Sequence, residues 1–170
     1  MKVYTRGGDK GNTQIYVDKA VRVTKDDAVL QCYGDIDELN SHVGLLACQV
    51  PEHRDRLTAI QKNLFQVGFA ISATSTLTID DITDIEQEID RLTESLAAQT
   101  SFILPGGCIE ASQSHICRAV CRRAERTLVK VSHEHDVADS TLAYLNRLSD
   151  YFFTLARYLN HTRGEADIKI

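Results

Sequence analysis

Proline is nearly missing from this sequence: 170 residues hold two, Pro51 and Pro105. With so few breaks, helix-like spacing can run on for long stretches, and the two prolines punctuate the segments. An excess of positive charge is also missing. The net charge of −5 gives no bulk attraction to nucleic acid or to an anionic membrane, so a polyanion must be held by a local basic cluster. No apolar run approaches a membrane span. Lys2 is followed by polar residues, not by the apolar core of a signal peptide. The five cysteines (Cys32, Cys48, Cys108, Cys117, Cys121) are an odd number with no CxxC pair. Cys117 and Cys121 share a helix face, but no further ligands stand at metal-site spacing, so packing is their expected role. Reduced thiols in a cytoplasmic protein are the expectation. Repeats, low-complexity segments and linkers are lacking, and the length suits one domain over 1–170.

Five segments carry the three-four spacing of amphipathic helices. The first is Val29, Cys32, Ile36, Leu39, Val43, Leu46, Val50; the second Leu57, Ile60, Leu64, Val67, Ile71; the third Ile82, Ile85, Ile89, Leu92, Leu96. After Pro105 come Ile116, Val120, Ala124, Leu128, Val131 and then Leu142, Leu145, Leu148, Phe152, Leu155, Leu159. Asp26 or Asp27 is placed to cap the first, Asp80 or Asp81 the third, and Asp139 or Ser140 the last. Short connections join them, so the expected fold class is all-α: a five-helix antiparallel bundle of the ferritin-like up-down type. A short glycine-rich N-terminal loop precedes it, with brief extended pieces at most on either side.

That loop is "YTRGGDKGNTQIY", Tyr4 to Tyr16. Glycines admit positive φ and close backbone approach, and successive N–H groups can form a nest for phosphate. Arg6 and Lys10 add charge, and Thr5 and Thr13 add hydroxyls. The spacing of Gly7, Gly8 and Gly11 is not that of the GxxxxGK[ST] P-loop. A nucleotide-phosphate loop and a flexible tail with an incidental turn stand side by side on this evidence.

"CRAVCRRAER", Cys117 to Arg126, places Arg118, Arg122 and Arg126 in one row at intervals of four, with Arg123 and Glu125 beside it. Like charges so spaced cost about 0.2–0.5 kcal/mol per pair on an isolated helix. Carboxylates of another helix, a partner subunit or a phosphate ligand would offset that; a solvated basic face is the plainer reading. In "YLNRLSDYFFTLARYLN" (Tyr144 to Asn160), Asn146, Asp150 and Arg157 share one side. Asn146 suits a base or ribose, and Asp150 an arginine of the neighbouring helix. "YGDIDELNSHVG" (Tyr33 to Gly44) holds Asp35, Asp37 and Glu38, where a carboxylate is placed to answer the arginine row across an interface. "FILPGG" (Phe102 to Gly107) leads into the arginine helix, with Phe102 and Ile103 either core or the apolar wall of a site. No ExxH pair exists, against a di-iron carboxylate bundle.

These segments, with "KDDAVLQCYGDIDELNSHVG", resemble the signature segments of the PduO-type ATP:cob(I)alamin adenosyltransferases, in the family's order and over nearly the whole chain. The resemblance implies a five-helix bundle (26–162) behind an N-terminal ATP-binding segment (1–25), assembled as a homotrimer with sites between subunits. It implies transfer of the 5′-deoxyadenosyl group of ATP to the cobalt of cob(I)alamin, leaving triphosphate. By resemblance, ATP falls to Thr5, Arg6, Gly7, Gly8, Asp9, Lys10, Gly11, Thr13, Lys25, Arg122, Glu125 and Asn146. Arg122, Glu125 and Arg126 form the triphosphate and catalytic set. Asp37 and Arg118 make an intersubunit salt bridge, and Phe102 shields the lower face of the corrin. Mg²⁺ arrives through ATP, with no confident side-chain ligand. A flavoprotein reductase and an adenosylcobalamin-dependent enzyme are the implied partners; nucleic acid and membrane are not. Some relatives carry a longer C-terminal segment over the corrin, so Ile170 as the last residue puts that lid in question. A non-catalytic nucleotide- or corrinoid-binding sensor or cofactor chaperone of the same fold is the competing expectation. A purely structural bundle would have no use for the loop or the arginine row.

Overall fold

The computed structural model of the protein describes residues 2–4, 6–17, 19–72 and 74–170. Two antiparallel strands, β1 (Asn12–Val17) and β2 (Lys19–Thr24), precede five helices: α1 (Ala28–Gln49), α2 (Arg54–Ser72), α3 (Ile79–Thr93), α4 (Ile109–Ser132) and α5 (Asp139–Arg163). A 3₁₀ turn at Pro51–His53 joins α1 to α2. Pro51 does what a proline must after a helix: it ends the hydrogen-bond ladder and restarts the chain at an N-terminal turn.

The first and second stripes are buried throughout. The fourth is buried from Val120 to Val131, with Ile116 44% exposed at its head. The fifth is buried from Leu145 on, with Leu142 half-buried, and α3 contributes Ile82, Ile85 and Leu92. The third stripe is shortened, because α3 stops at Thr93 and Leu96 lies beyond it. Helix α4 packs against α5 and α1, α3 against α5, and α2 against α1. Directions follow from side-chain pairs. Arg123 meets Asp35 and Gln113 meets His42, so α4 runs antiparallel to α1. Arg147 meets Glu86 and Arg157 reaches the Ala97 carbonyl, so α5 runs parallel to α3. Gln61 lies beside Gly44 and Tyr33 beside Gly68, so α2 is antiparallel to α1. Asn63 meets Asp81 and Arg56 meets Asp84, so α3 is antiparallel to α2. Consecutive helices therefore alternate in direction, as expected of an up-down bundle.

Close approach of α4 to α5 has a local cause. The face of α4 toward α5 carries Ala111, Ser114, Cys117, Cys121 and Ala124, all buried and small. Across this seam the Ser114 hydroxyl donates to the Phe152 carbonyl at 2.8 Å, and the Cys121 thiol donates to the Leu145 carbonyl at 3.3 Å. Burial pushes the Cys117 thiol up to about 12, so it stays protonated and packs as a small apolar group. Cys32, Cys117 and Cys121 are all buried, in agreement with packing.

Asp27 caps α1, its carboxylate accepting the Val29 N–H at 2.8 Å. The other two expected caps differ. Thr78 caps α3, and Asp81 answers as the third residue of a capping box, its carboxylate accepting the Thr78 N–H at 2.9 Å. Helix α5 begins after Ala138 with no side-chain cap. The extended pieces differ from the expectation: described residues 2–4 ahead of the glycines form no strand, and a second strand follows the first after them. β1 and β2 pair over six residues each, with Ile15 buried beneath and β1 lying on α2.

Two buried histidines set an expectation for acid stability. Burial, with Arg118 alongside and Asp167 opposing, pushes His115 down to about 4. Burial and Arg91 lower His53 against the pull of Glu52 and Glu88. Both imidazoles are held neutral in the fold, so the unfolded chain binds their protons more readily. Stability is then lost as pH falls from about 6.5 toward 4. Thermal midpoints taken at steps from pH 7 to pH 4 should fall across that window; a flat series would contradict the burial argument.

Candidate active site

The arginine row lies on α4. Arg122 and Arg126 are exposed and Arg118 is half-buried. Among the described residues none of the three is in an ion pair. Burial and the neighbouring Arg122 lower the Arg118 guanidinium, whose Nε is buried without a hydrogen-bond partner. Arg126 Nη1 donates to the Arg122 carbonyl at 2.9 Å, which fixes its stem along the row. A protein of net charge −5 thus keeps a strip of uncompensated guanidinium groups. Such a strip has the chemistry to receive a multiply charged anion.

Glu125 and Asn146 complete this face. Asn146 Nδ2 donates to Glu125 Oε1 at 2.9 Å, tying α5 to α4. A shallow hollow is lined by Arg122, Glu125, Arg126 and Val129. Glu125 therefore sits among the arginines as an acceptor, with its direction set by Asn146. Both expected companions, Asp150 and the α1 carboxylates, are arranged differently. Asp150 pairs with Arg147 on its own helix at 2.9 Å and not with α4. Asp35 and Glu38 answer Arg123 within the chain, Asp35 at 3.1 Å. Asp37 stays exposed on the far side of α1, in a hollow with Tyr33, Phe65 and Phe69. Arg118 lines a different hollow, with Pro105, His115 and Ile116. Within one chain Asp37 and Arg118 do not meet.

The glycine stretch is a compact turn. Thr5 lies outside the described residues. Arg6 has φ 60 and Gly11 φ 76; the Gly11 N–H reaches the Gly8 carbonyl at 3.2 Å, and the Lys25 N–H reaches the Gly11 carbonyl at 2.9 Å. Lys25 lies over the turn: a Cβ on Gly8 would stand 3.2 Å from Lys25 Nζ. Arg22 carries no spacing signal in the sequence, yet its guanidinium donates to the Gly7 carbonyl at 3.4 Å. It comes from the strand whose pairing the alternation pattern did not disclose. Gly7, Asp9 and Lys10 are exposed and Thr13 sits in β1. The turn thus brings Arg22 and Lys25 onto glycine backbone and carries Arg6 and Lys10 in its own sequence.

Among the described residues no hydrogen bond or ion pair joins this cationic turn to the arginine face. The structure brings Arg122, Glu125, Arg126 and Asn146 together, and Lys25 to the glycines, but leaves the two sets apart. Phe102 is separate again, 78% exposed on the crossing loop between α3 and α4. No group of three or more His, Cys, Asp or Glu side chains suited to a metal occurs among the described residues, and no helix is long and apolar enough to cross a membrane.

Known proteins resemble this chain in sequence and in fold. The family model described as cobalamin adenosyltransferase matches residues 3–159. A cobalamin adenosyltransferase of Cupriavidus metallidurans is 40% identical over 98% of this chain and 92% of its own length. A corrinoid adenosyltransferase of Bacillus subtilis is 38% identical over 99% of this chain and 92% of its own. A variant PduO-type ATP:corrinoid adenosyltransferase from Lactobacillus reuteri, solved in complex with cobalamin and ATP, superposes with a TM-score of 0.90 at 34% identity, covering 99% of each chain. The family model and these relatives agree: the chain belongs to the cobalamin adenosyltransferase family.

Proposed function

We propose that the protein transfers the 5′-deoxyadenosyl group of ATP to the cobalt of cob(I)alamin. The observation that carries this reading is the unneutralised Arg122 and Arg126 around an Asn146-oriented Glu125, in a family whose solved relative binds cobalamin and ATP. Co(I) attacks C5′ with its electron pair, the Co–C bond forms, the C5′–O bond breaks, and triphosphate leaves with that bond's electrons. Since the nucleophile is the cobalt, the protein need supply no serine, cysteine or base. Its work is to hold C5′ in line and to stabilise charge on the departing triphosphate.

Arg122, Arg126 and Glu125 take the triphosphate side, and Asn146 holds the nucleoside. Thr5, Arg6, Gly7, Gly8, Asp9, Lys10, Gly11, Thr13 and Lys25 close over the phosphates. Mg²⁺ bound to the triphosphate oxygens would neutralise part of their charge. The separation of the turn from the arginine face supports a site shared between copies in a homotrimer, joined by Asp37 of one subunit to Arg118 of the next. Residues 1–25 would be the ATP segment and 26–162 the bundle of one domain. Phe102 offers an apolar wall to the lower face of the corrin, so that the lower axial ligand stays off cobalt and Co(II) is easier to reduce. A flavoprotein reductase would supply the electron, an adenosylcobalamin-dependent enzyme would take the product, and five unpaired thiols suit the cytoplasm.

Phosphorus NMR of the products tests the reaction type. Intact triphosphate, one per adenosylated cobalt, is expected; ADP with free phosphate would refute it. The N-terminal segment gives a second prediction. MgATP should protect residues 1–25 from limited proteolysis, whereas cleavage at an unchanged rate under saturating MgATP would remove the turn from the site.

A further inference from the structure

The loop that presents Phe102 is held from beneath by one buried amide. Asn160, in the last turn of α5, is 3% exposed. Its Oδ1 accepts the Cys108 N–H at 3.0 Å, and its Nδ2 donates to the Gly106 carbonyl at 3.0 Å and to Asp167 Oδ1 at 3.3 Å. The amide fills the space under the loop. Gly107 has φ +97, and a Cβ there would fall 2.1 Å from Asn160 Oδ1, so only glycine lets the loop close onto it. Helix α4 has no side-chain cap of its own at Cys108; Asn160 satisfies that N–H from another helix.

The same amide reaches the chain terminus. Asp167 is ion-paired with Arg157 Nε at 3.0 Å, and Arg157 also donates to the Ala97 carbonyl at 2.8 Å. Gly164, with φ +75, ends α5 and turns the chain back. The returning tail then bonds the loop directly: the Leu104 N–H donates to the Ile168 carbonyl at 2.8 Å, and the Ile170 N–H donates to the Phe102 carbonyl at 3.0 Å. Phe102, at 78% exposure, has little side-chain packing to hold its ring. The ring's place therefore depends on its backbone, and the backbone depends on Asn160 and the tail.

We infer that Asn160 is a positioning residue for the corrin-facing loop, acting with Asp167 and the tail to Ile170 to hold Phe102 against its substrate. The inference rests on the reading that Phe102 faces the corrin. Asn160 touches no reacting atom; it fixes where an apolar group stands and keeps the loop from spending its order on binding.

The test uses the whole protein with cob(II)alamin and MgATP under anaerobic conditions. Electron paramagnetic resonance gives the fraction of Co(II) that has lost its lower axial ligand, and steady-state assays with a chemical reductant added to make cob(I)alamin give KM for corrinoid and for ATP separately. Two variants are compared with wild type: Asn160→Ala, and a chain truncated after Ala166, which leaves every helix intact. In both, the ligand-free Co(II) fraction should drop and corrinoid KM should rise by about tenfold, the scale of one lost buried hydrogen bond. ATP KM should stay within about twofold, since the arginine face lies elsewhere. Should Asn160→Ala fail to fold, the truncated chain decides. Unchanged Co(II) spectra and corrinoid KM in a working enzyme would overturn the inference alone, as would both KM values moving together. Wild-type protein that leaves the axial ligand on Co(II) would remove the Phe102 reading and this inference with it.

Discussion

Arg122→Ala is expected to abolish adenosyl transfer while leaving the bundle folded. The side chain is exposed and in no ion pair among the described residues, so its removal uncovers no buried partner and opens no cavity. Its loss relieves repulsion along the α4 row, which favours the helix slightly. The cost falls on the reaction. A charge-assisted donor aimed at a leaving group is worth about 10²–10³ in rate at comparable sites, and here the leaving group carries the charge of a triphosphate. Turnover with chemically prepared cob(I)alamin should fall by at least that factor, with the helical circular dichroism and thermal midpoint close to wild type. Near-normal turnover would take Arg122 out of the mechanism. A collapsed helical signal would show that the arginine serves the fold instead.

Phe102→Ala should separate the two stages of the reaction. With reductase and cob(II)alamin, turnover should fall by at least about tenfold, equivalent to about 1.4 kcal/mol of barrier. With cob(I)alamin already prepared, the loss should be much smaller, because Co(I) does not need the lower ligand excluded. Stability should not change, since a ring 78% exposed contributes little core. Equal losses in the two assays would mean that Phe102 serves corrin binding in general and not the reduction step.

The helices were legible in the sequence because each one buries a single stripe, and a stripe is a local property. Leu57, Ile60, Leu64, Val67 and Ile71 form the buried face of α2. The ends were less legible. Thr78 won over Asp80 and Asp81 because a capping box needs its acid three residues into the helix, which Asp81 supplies. The second strand carries only a short signal: Val21 and Val23, half-buried on the core, alternate with exposed Ala20, Arg22 and Thr24 over a few residues, while Ile15 of the first strand is deeply buried.

The site was legible as residue types and not as pairings. Arg118, Arg122 and Arg126 follow from a spacing of four. The Asn146–Glu125 bond depends on how α5 registers on α4, which no spacing within one helix discloses. Asp150 shows the same limit. An arginine three residues away on its own helix is always within reach, and Arg147 took it. The Asn160 network joins Gly106, Cys108 and Asp167, positions that only the folded chain brings together.

The most direct test of the central claim is anaerobic. Protein, chemically reduced cob(I)alamin, MgATP and a visible spectrometer suffice. The reading requires the cob(I)alamin band to disappear and a light-sensitive alkylcobalamin spectrum to grow, with more than one equivalent formed per protein chain. An unchanged cob(I)alamin spectrum, with ATP binding still measurable, would contradict it and leave a nucleotide- and corrinoid-binding protein that senses or carries its ligand without chemistry.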